Sequence, residues 1–188
     1  MQRTSFGSMQ CPIARSLERV GEWWSILILR DALHGLTRFD QFQKSLDIAP
    51  NMLARRLQGL VESGLLQRKL YSKHPPRHEY VLTERGRDFR PVLLALLAWG
   101  NKHFASEGES VLLANAKTGA VAEPIVVDRK SGRPLNDSEF RYVPGPAASE
   151  RTRLRLAFAA GEITADDYVP GAVSDKTEKR TRRRTHHG

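Results

Sequence analysis

The sequence has 188 residues, 40% of them hydrophobic, and a formal net charge of +9, enough for one ordinary domain with a small appendage. It holds no apolar run of 18 residues, no basic start leading into an apolar stretch, and one cysteine, Cys11. A membrane span, a secretory leader and an internal disulfide are therefore not expected, and a cytoplasmic location is. Residues 1–104 carry 16 Lys/Arg against 9 Asp/Glu, residues 105–173 carry 8 against 10, and residues 174–188 carry 6 against 2. A basic first half and a basic tail around a mildly acidic segment point to a polyanionic partner for particular surfaces.

In chain order, Ile13, Ala14, Leu17 and Val20 recur at helical spacing, predicting a helix over Pro12–Val20 with Gly21 as its stop. The apolar residues between Trp24 and Leu33 cover almost the whole circumference of a second helix, which belongs in the middle of a core and ends at His34-Gly35. Thr37 is the expected N-cap of a short helix over Arg38–Leu46, with Phe39, Phe42 and Leu46 facing inward. After Pro50, a helix over Asn51–Ser63 buries Leu53, Leu57, Leu60 and Val61. It shows Asn51, Arg55, Gln58 and Gly59 on the other side, with Met52 and Arg56 at the borders, and Gly64 as a left-handed stop.

Leu65–Tyr71 and His78–Leu82 read as two strands of a hairpin around the polar loop Ser72–Arg77. Thr83 then caps a long helix to about Phe104, kinked or restarted at Pro91. Beyond Ser106 the periodicity weakens. Val121–Val127 and Phe140–Val143 are candidate strands, and Leu154, Leu156 and Phe158 fit a strand or a short helix. The resulting organisation is an N-terminal arm (1–10), a main domain (11–104), an accessory segment (105–173) and a basic tail (174–188) without expected order.

The order helix, helix, helix, turn, helix, hairpin is that of a winged helix-turn-helix. The fold class expected is mainly α with a small β-hairpin, plus a C-terminal segment with possible strands. In that layout the helix over 51–63 enters the major groove. Arg can grip guanine and Asn can grip adenine, each through two hydrogen bonds, which makes Asn51, Met52, Arg55 and Arg56 the candidate base readers. Taken alone, Asn51 and Arg55 read as an ordinary solvated face. Lys69, Lys73, His74 and Arg77 around Pro75-Pro76 tell against that reading, because a cationic hairpin beside such a helix suits phosphates or the minor groove. Thr37 and Arg38 are further candidates for the backbone.

These residues resemble the HxlR-type family of bacterial winged-helix regulators over residues 11–104. The resemblance is carried by Cys11-Pro12, Gly21-Glu22-Trp23-Trp24, Leu29-Arg30, Gly35-Leu36-Thr37-Arg38-Phe39 and the run Pro50 to Leu57. Gly64-Leu65-Leu66, Tyr71, Pro75-Pro76-Arg77, Glu79 to Thr83, Gly86 and Trp99-Gly100 complete it. It implies a double-stranded DNA partner, mostly repression, and a homodimer formed by the first helix and the last helix of the domain. Ile13, Leu17, Val92, Leu93, Leu96 and Trp99 are the expected interface. The last helix indeed has more apolar circumference than one domain covers, although packing under the C-terminal segment would also use it. Some family members sense oxidants or electrophiles through a cysteine matching Cys11. A helix N-terminus with Arg15 nearby suits a reactive thiolate, while a small buried hydrophobe is the plainer reading.

No phosphate loop, GxGxxG, GxSxG or HExxH is present, so no enzyme is expected. His74 and His78 have a zinc-like spacing without cysteine partners, so neither a metal nor a cofactor is expected, though a small-molecule effector is left open. An RNA-binding or protein-docking winged helix is the competing class.

Overall fold

The computed structural model describes residues 11–135 and 139–167. The predicted N-terminal arm and the basic tail over 174–188 lie outside the described residues. The chain runs α1 (Pro12–Val20), α2 (Trp23–Leu33), α3 (Phe39–Leu46), α4 (Pro50–Glu62), β1 (Leu66–Lys73), β2 (Pro76–Leu82), α5 (Glu84–Arg87) and α6 (Arg90–Phe104). The short strands β3 (Leu113–Ala114) and β4 (Val121–Ala122) and the helix α7 (Glu150–Ala159) follow. This is the expected winged helix-turn-helix, mostly helical with one antiparallel hairpin.

The core explains the sequence pattern. Ile28 and Leu29 of α2 are fully buried, as expected of a helix apolar on most sides. They are joined by Phe42 of α3, Leu53, Leu57 and Leu60 of α4, and Leu65-Leu66 entering β1. Burying a Leu or Phe side chain is worth about 1.5–3 kcal/mol, so these eight side chains contribute much of the stability of the domain. Among the described residues Ser25 and Asp31 are the buried polar ones, and Arg30 reaches Asp31 at 2.8 Å.

Several boundaries differ from expectation for identifiable reasons. The N-cap of α3 is Arg38 rather than Thr37. The Gln41 side-chain oxygen accepts from both the Thr37 and Arg38 backbone N–H groups, at 3.0 and 2.9 Å, so the helix starts one residue later. The hairpin pairs from Leu66↔Leu82 to Lys73↔Pro76, which leaves only His74-Pro75 at its tip, and the predicted loop 72–77 is mostly strand. Ser72 closes the tip by donating from Oγ to the Pro75 carbonyl at 3.0 Å.

The long helix from Thr83 is divided into α5 and α6. The Thr83 hydroxyl accepts from the Gly86 N–H at 3.1 Å and donates to the Gly64 carbonyl at 2.7 Å, closing a single turn against the end of α4. Gly86 is needed there, since a Cβ would stand 2.1 Å from the Leu65 carbonyl oxygen. Gly64 itself adopts φ +68°, the left-handed stop expected after α4. Pro91 then occupies the first turn of α6, where its missing N–H is no loss.

The accessory segment has less sheet than predicted. β4 covers only Val121–Ala122, Val127 makes a single bridge to Pro134, and Phe140–Val143 is not a strand. The ambiguous stretch around Leu154 is helix α7, started by Ser149, whose hydroxyl accepts from the Thr152 N–H. Among the described residues no helix is long and apolar enough to cross a membrane.

Candidate nucleic-acid interface

Helix α4 is fixed from one side only. Leu53, Leu57 and Leu60 hold it in the core, while Asn51, Ala54, Arg55 and Gln58 are exposed along the opposite stripe. Gln58 spans one turn to Glu62 at 2.8 Å. Pro50 stands in the first turn, and backbone N–H groups at that end of the helix favour an anion.

Two of the four expected base readers, Met52 and Arg56, stand at the border of the exposed face, as the sequence pattern has them. Met52 is half-buried and packs against the core. Arg56 turns away from the exposed stripe and pairs with Glu22, which caps α2, at 2.9 Å, leaving its side chain only 17% exposed. In the chain as it stands, Arg56 is engaged by a carboxylate and not presented on the exposed stripe. One residue beyond Arg55, position 56 is turned about 100° round the helix, to the border of the exposed face, where a carboxylate meets it. Asn51 and Arg55 keep the exposure that base contact requires. Arg55 also lines a polar hollow of about 450 Å³ beside α1 and α2, which contains Glu18, Glu22, Arg56, Glu62 and Arg85.

The wing is paired as a hairpin almost to its tip. Lys69, Lys73, His74 and Arg77 are all exposed, with Lys69 opposite Glu79 and Arg77 opposite Ser72 in the ladder. The chain before α3 is stitched to the outer edge of the hairpin. The Tyr80 N–H donates to the Thr37 carbonyl at 2.7 Å, making a backbone β-bridge between Arg38 and Glu79. The Arg38 guanidinium lies 4.8 Å from the Tyr71 ring centroid, a cation–π distance. Thr37 thus acts through its backbone, and Arg38 is an exposed cation on the wing side of α3. Tyr71 and Arg68, which contacts His78 Nδ1 at 3.0 Å, were not singled out as site residues. The aromatic residue midway along a cationic hairpin was the available signal.

Elsewhere, Ile13, Leu17, Val92, Leu96 and Trp99 are exposed and Leu93 is half-buried, so the apolar faces of α1 and α6 are open in the single chain. Ile13 is 66% and Trp99 56% exposed. Cys11 is the N-cap of α1 and half-buried. The Ala14 N–H is the main cause of a thiol pKa below its ordinary value. The Ile13 N–H and the Arg155 side chain add to this, and burial opposes it. The cation beside the thiol is therefore Arg155 of α7, where Arg15 had been expected. Arg15 instead follows the first helical hydrogen bond, its N–H donating to the Cys11 carbonyl at 3.0 Å.

A family profile described as HxlR-like helix-turn-helix matches residues 19–108. An uncharacterized HTH-type transcriptional regulator of Mycobacterium tuberculosis is 39% identical over 135 residues, spanning 71% of this chain and 85% of the relative. The chain belongs to the HxlR-like helix-turn-helix family. Another relative, the uncharacterized HTH-type transcriptional regulator YdeP of Bacillus subtilis, is 36% identical over 94 residues, or 50% of this chain and 73% of YdeP. A candidate transcription factor of Pseudomonas aeruginosa has a solved structure that is 57% identical, with a TM-score of 0.57 over 78% of this chain and all of that one. The structure of PA1607, another candidate transcription factor, is 39% identical with a TM-score of 0.68 over 76% of this chain and all of that one. This HxlR-like chain is accordingly a helix-turn-helix transcriptional regulator, of a class that works by binding DNA.

Proposed function

We propose that this regulator is a homodimeric repressor that reads an inverted-repeat operator. Asn51 and Arg55 of α4 face base edges, and Lys69, Lys73, His74 and Arg77 of the wing lie along the flanking backbone. The observation that carries the reading is the one-sided burial of α4: Leu53, Leu57 and Leu60 fix its axis, and Asn51 and Arg55 stand exposed opposite them. The dimer reading is supported by the open apolar faces of α1 and α6, and repression by the habit of the family. Two-fold symmetry places the half-sites about 34 Å apart, or a multiple of that. Selection of bound fragments from the source genome, at two salt concentrations, tests the proposal. An inverted repeat whose affinity falls steeply with salt is the expected result. Weak binding indifferent to sequence, unrelieved by any effector, favours a docking module instead.

A second reading has its own observation. The lowered thiol pKa of Cys11, at a helix N-terminus and beside Arg155, suits a response to oxidants or electrophiles. Unchanged operator binding and unchanged oxidant response in Cys11→Ser would remove it.

A further inference from the structure

The segment after α6 carries apolar surface that neither the core nor the DNA face uses. Of the twenty large hydrophobic residues exposed among the described residues, ten lie between Val111 and Val143. Ile125 is 65% and Tyr142 83% exposed. The segment is held in place mainly by its own turns: Asn115 accepts from Gly119, Asp128 from Gly132, and β3–β4 pairs only two residues on each side. Its start is tied to α6, where Asn101 Nδ2 donates to the Val111 carbonyl at 2.9 Å. From there the stretch 124–127 runs beside α6, leaving a groove of about 390 Å³ lined by Leu94, Ala95, Ala98 and Ile125 to Val127. All the side chains lining it are apolar. It is open to solvent, and an exposed apolar groove beside further exposed apolar residues is the kind of surface that meets another molecule.

The area points to what fills it. The chain exposes 15432 Å². Even if the residues outside the described set are credited with the full exposure of unfolded chain, about 5,500 Å², the rest exceeds a folded monomer of its mass by roughly 2,000 Å². That surplus is what one protomer contributes to a large obligate dimer, whose interface totals about 2,000–5,000 Å². The match to the mycobacterial relative runs 135 residues, well beyond the 19–108 of the family profile, so a segment of this kind is shared.

We propose that residues 111–135, with Phe140, Tyr142 and Val143, form a clasp for a second copy of this chain, their apolar side chains closing over the partner's α1–α6 face and the groove beside α6 receiving apolar side chains from it. The inference rests on the dimer proposed above and extends its interface beyond the two helices. The clasp would make the accessory segment part of what sets the distance between the two copies of α4.

The test compares full-length variants by sedimentation equilibrium. Ile125 and Val127 are exposed, so the double variant Ile125→Glu, Val127→Glu leaves the circular dichroism of the protomer unchanged. It should raise the dimer dissociation constant at least about tenfold. Trp99→Glu on α6 serves as the comparison. If Trp99→Glu dissociates the dimer and the double variant does not, the clasp is overturned and the helical dimer stands. If the wild type is a monomer at micromolar concentration, both readings fall. A photo-crosslinking residue at position 125 should join two chains, the adduct mapping to a peptide of α1 or α6. Adducts within one chain only overturn the clasp. A double variant that dimerises normally but no longer binds anilinonaphthalene sulfonate would make the groove a small-molecule site, also overturning it.

Discussion

Replacing Lys73 and Arg77 together by Gln isolates the contribution of the wing. Both side chains are exposed, on paired strands at the tip of the hairpin, so the fold loses nothing that the core supplies. In a dimer the change removes four cations. Each phosphate neutralised on B-DNA contributes about 0.9 to the slope of log affinity against log salt, so the slope should flatten by about 3.6. Over a fourfold change, from about 50 to 200 mM salt, the advantage of the wild type over the variant then shrinks by roughly two orders of magnitude. Fluorescence anisotropy with a labelled operator duplex, at four salt concentrations, measures this directly. A flattening near 1.8 would mean one wing on the DNA per complex and would contradict the symmetric dimer. An unchanged slope would refute the placement of these cations on phosphates altogether.

Arg55→Ala and Asn51→Ala should each cost about 1–3 kcal/mol at particular base pairs and relax the preference there, whereas affinity for random duplex stays nearly constant. Competition binding with single-position operator variants reads this. Arg56→Ala should leave sequence preference intact and lower stability by about 1–2 kcal/mol, because it releases Glu22 from a partly buried pair at 2.9 Å; urea denaturation decides between the two roles. Gly86→Ala places a Cβ 2.1 Å from the Leu65 carbonyl oxygen and should destabilise by about 1–3 kcal/mol or more. Gly59→Ala, in open space within α4, should stabilise by up to about 1 kcal/mol, so equal thermal shifts would contradict both assignments. The pH profile of Cys11 alkylation should have its midpoint below the ordinary thiol value of 9.0. Because the pKa is depressed in the folded chain, the matching contribution to stability is present above 9.0 and fades as pH falls through the folded midpoint. Arg155→Ala should move the midpoint up only in part, since the Ala14 N–H is the larger cause.

The helices and hairpin of the domain were legible because each rests on a strong local pattern. The stripe Leu53, Leu57, Leu60 has no other interpretation than one buried helix face, and Gly64 stands where a left-handed stop is needed. Arg56 was not legible, since its partner Glu22 lies 34 residues away and nothing local marks the pair. Arg155 beside Cys11 hides for the same reason, being brought there by a helix whose sequence leaves strand and helix equally open. The division of the long helix was half visible in Pro91. The other half, the closure of Thr83 onto Gly64, depends on the end of α4 arriving nearby. In the accessory segment exposed valines mimic strand residues, because apolar β-branched stretches look alike whether they face a neighbouring strand or another molecule.

The stitch between the start of α3 and the hairpin has a mechanical consequence. Through the backbone bridge of Arg38 to Glu79, closed by the Tyr80 N–H on the Thr37 carbonyl, a push on the wing is delivered to the first turn of the helix that supports α4. If the wing and α4 meet DNA as proposed, the width of the groove at the hairpin would thus tilt the helix proposed to read bases. Flexible and rigid flanking sequences of identical half-sites would then be distinguished by leverage, without a single additional hydrogen bond to a base.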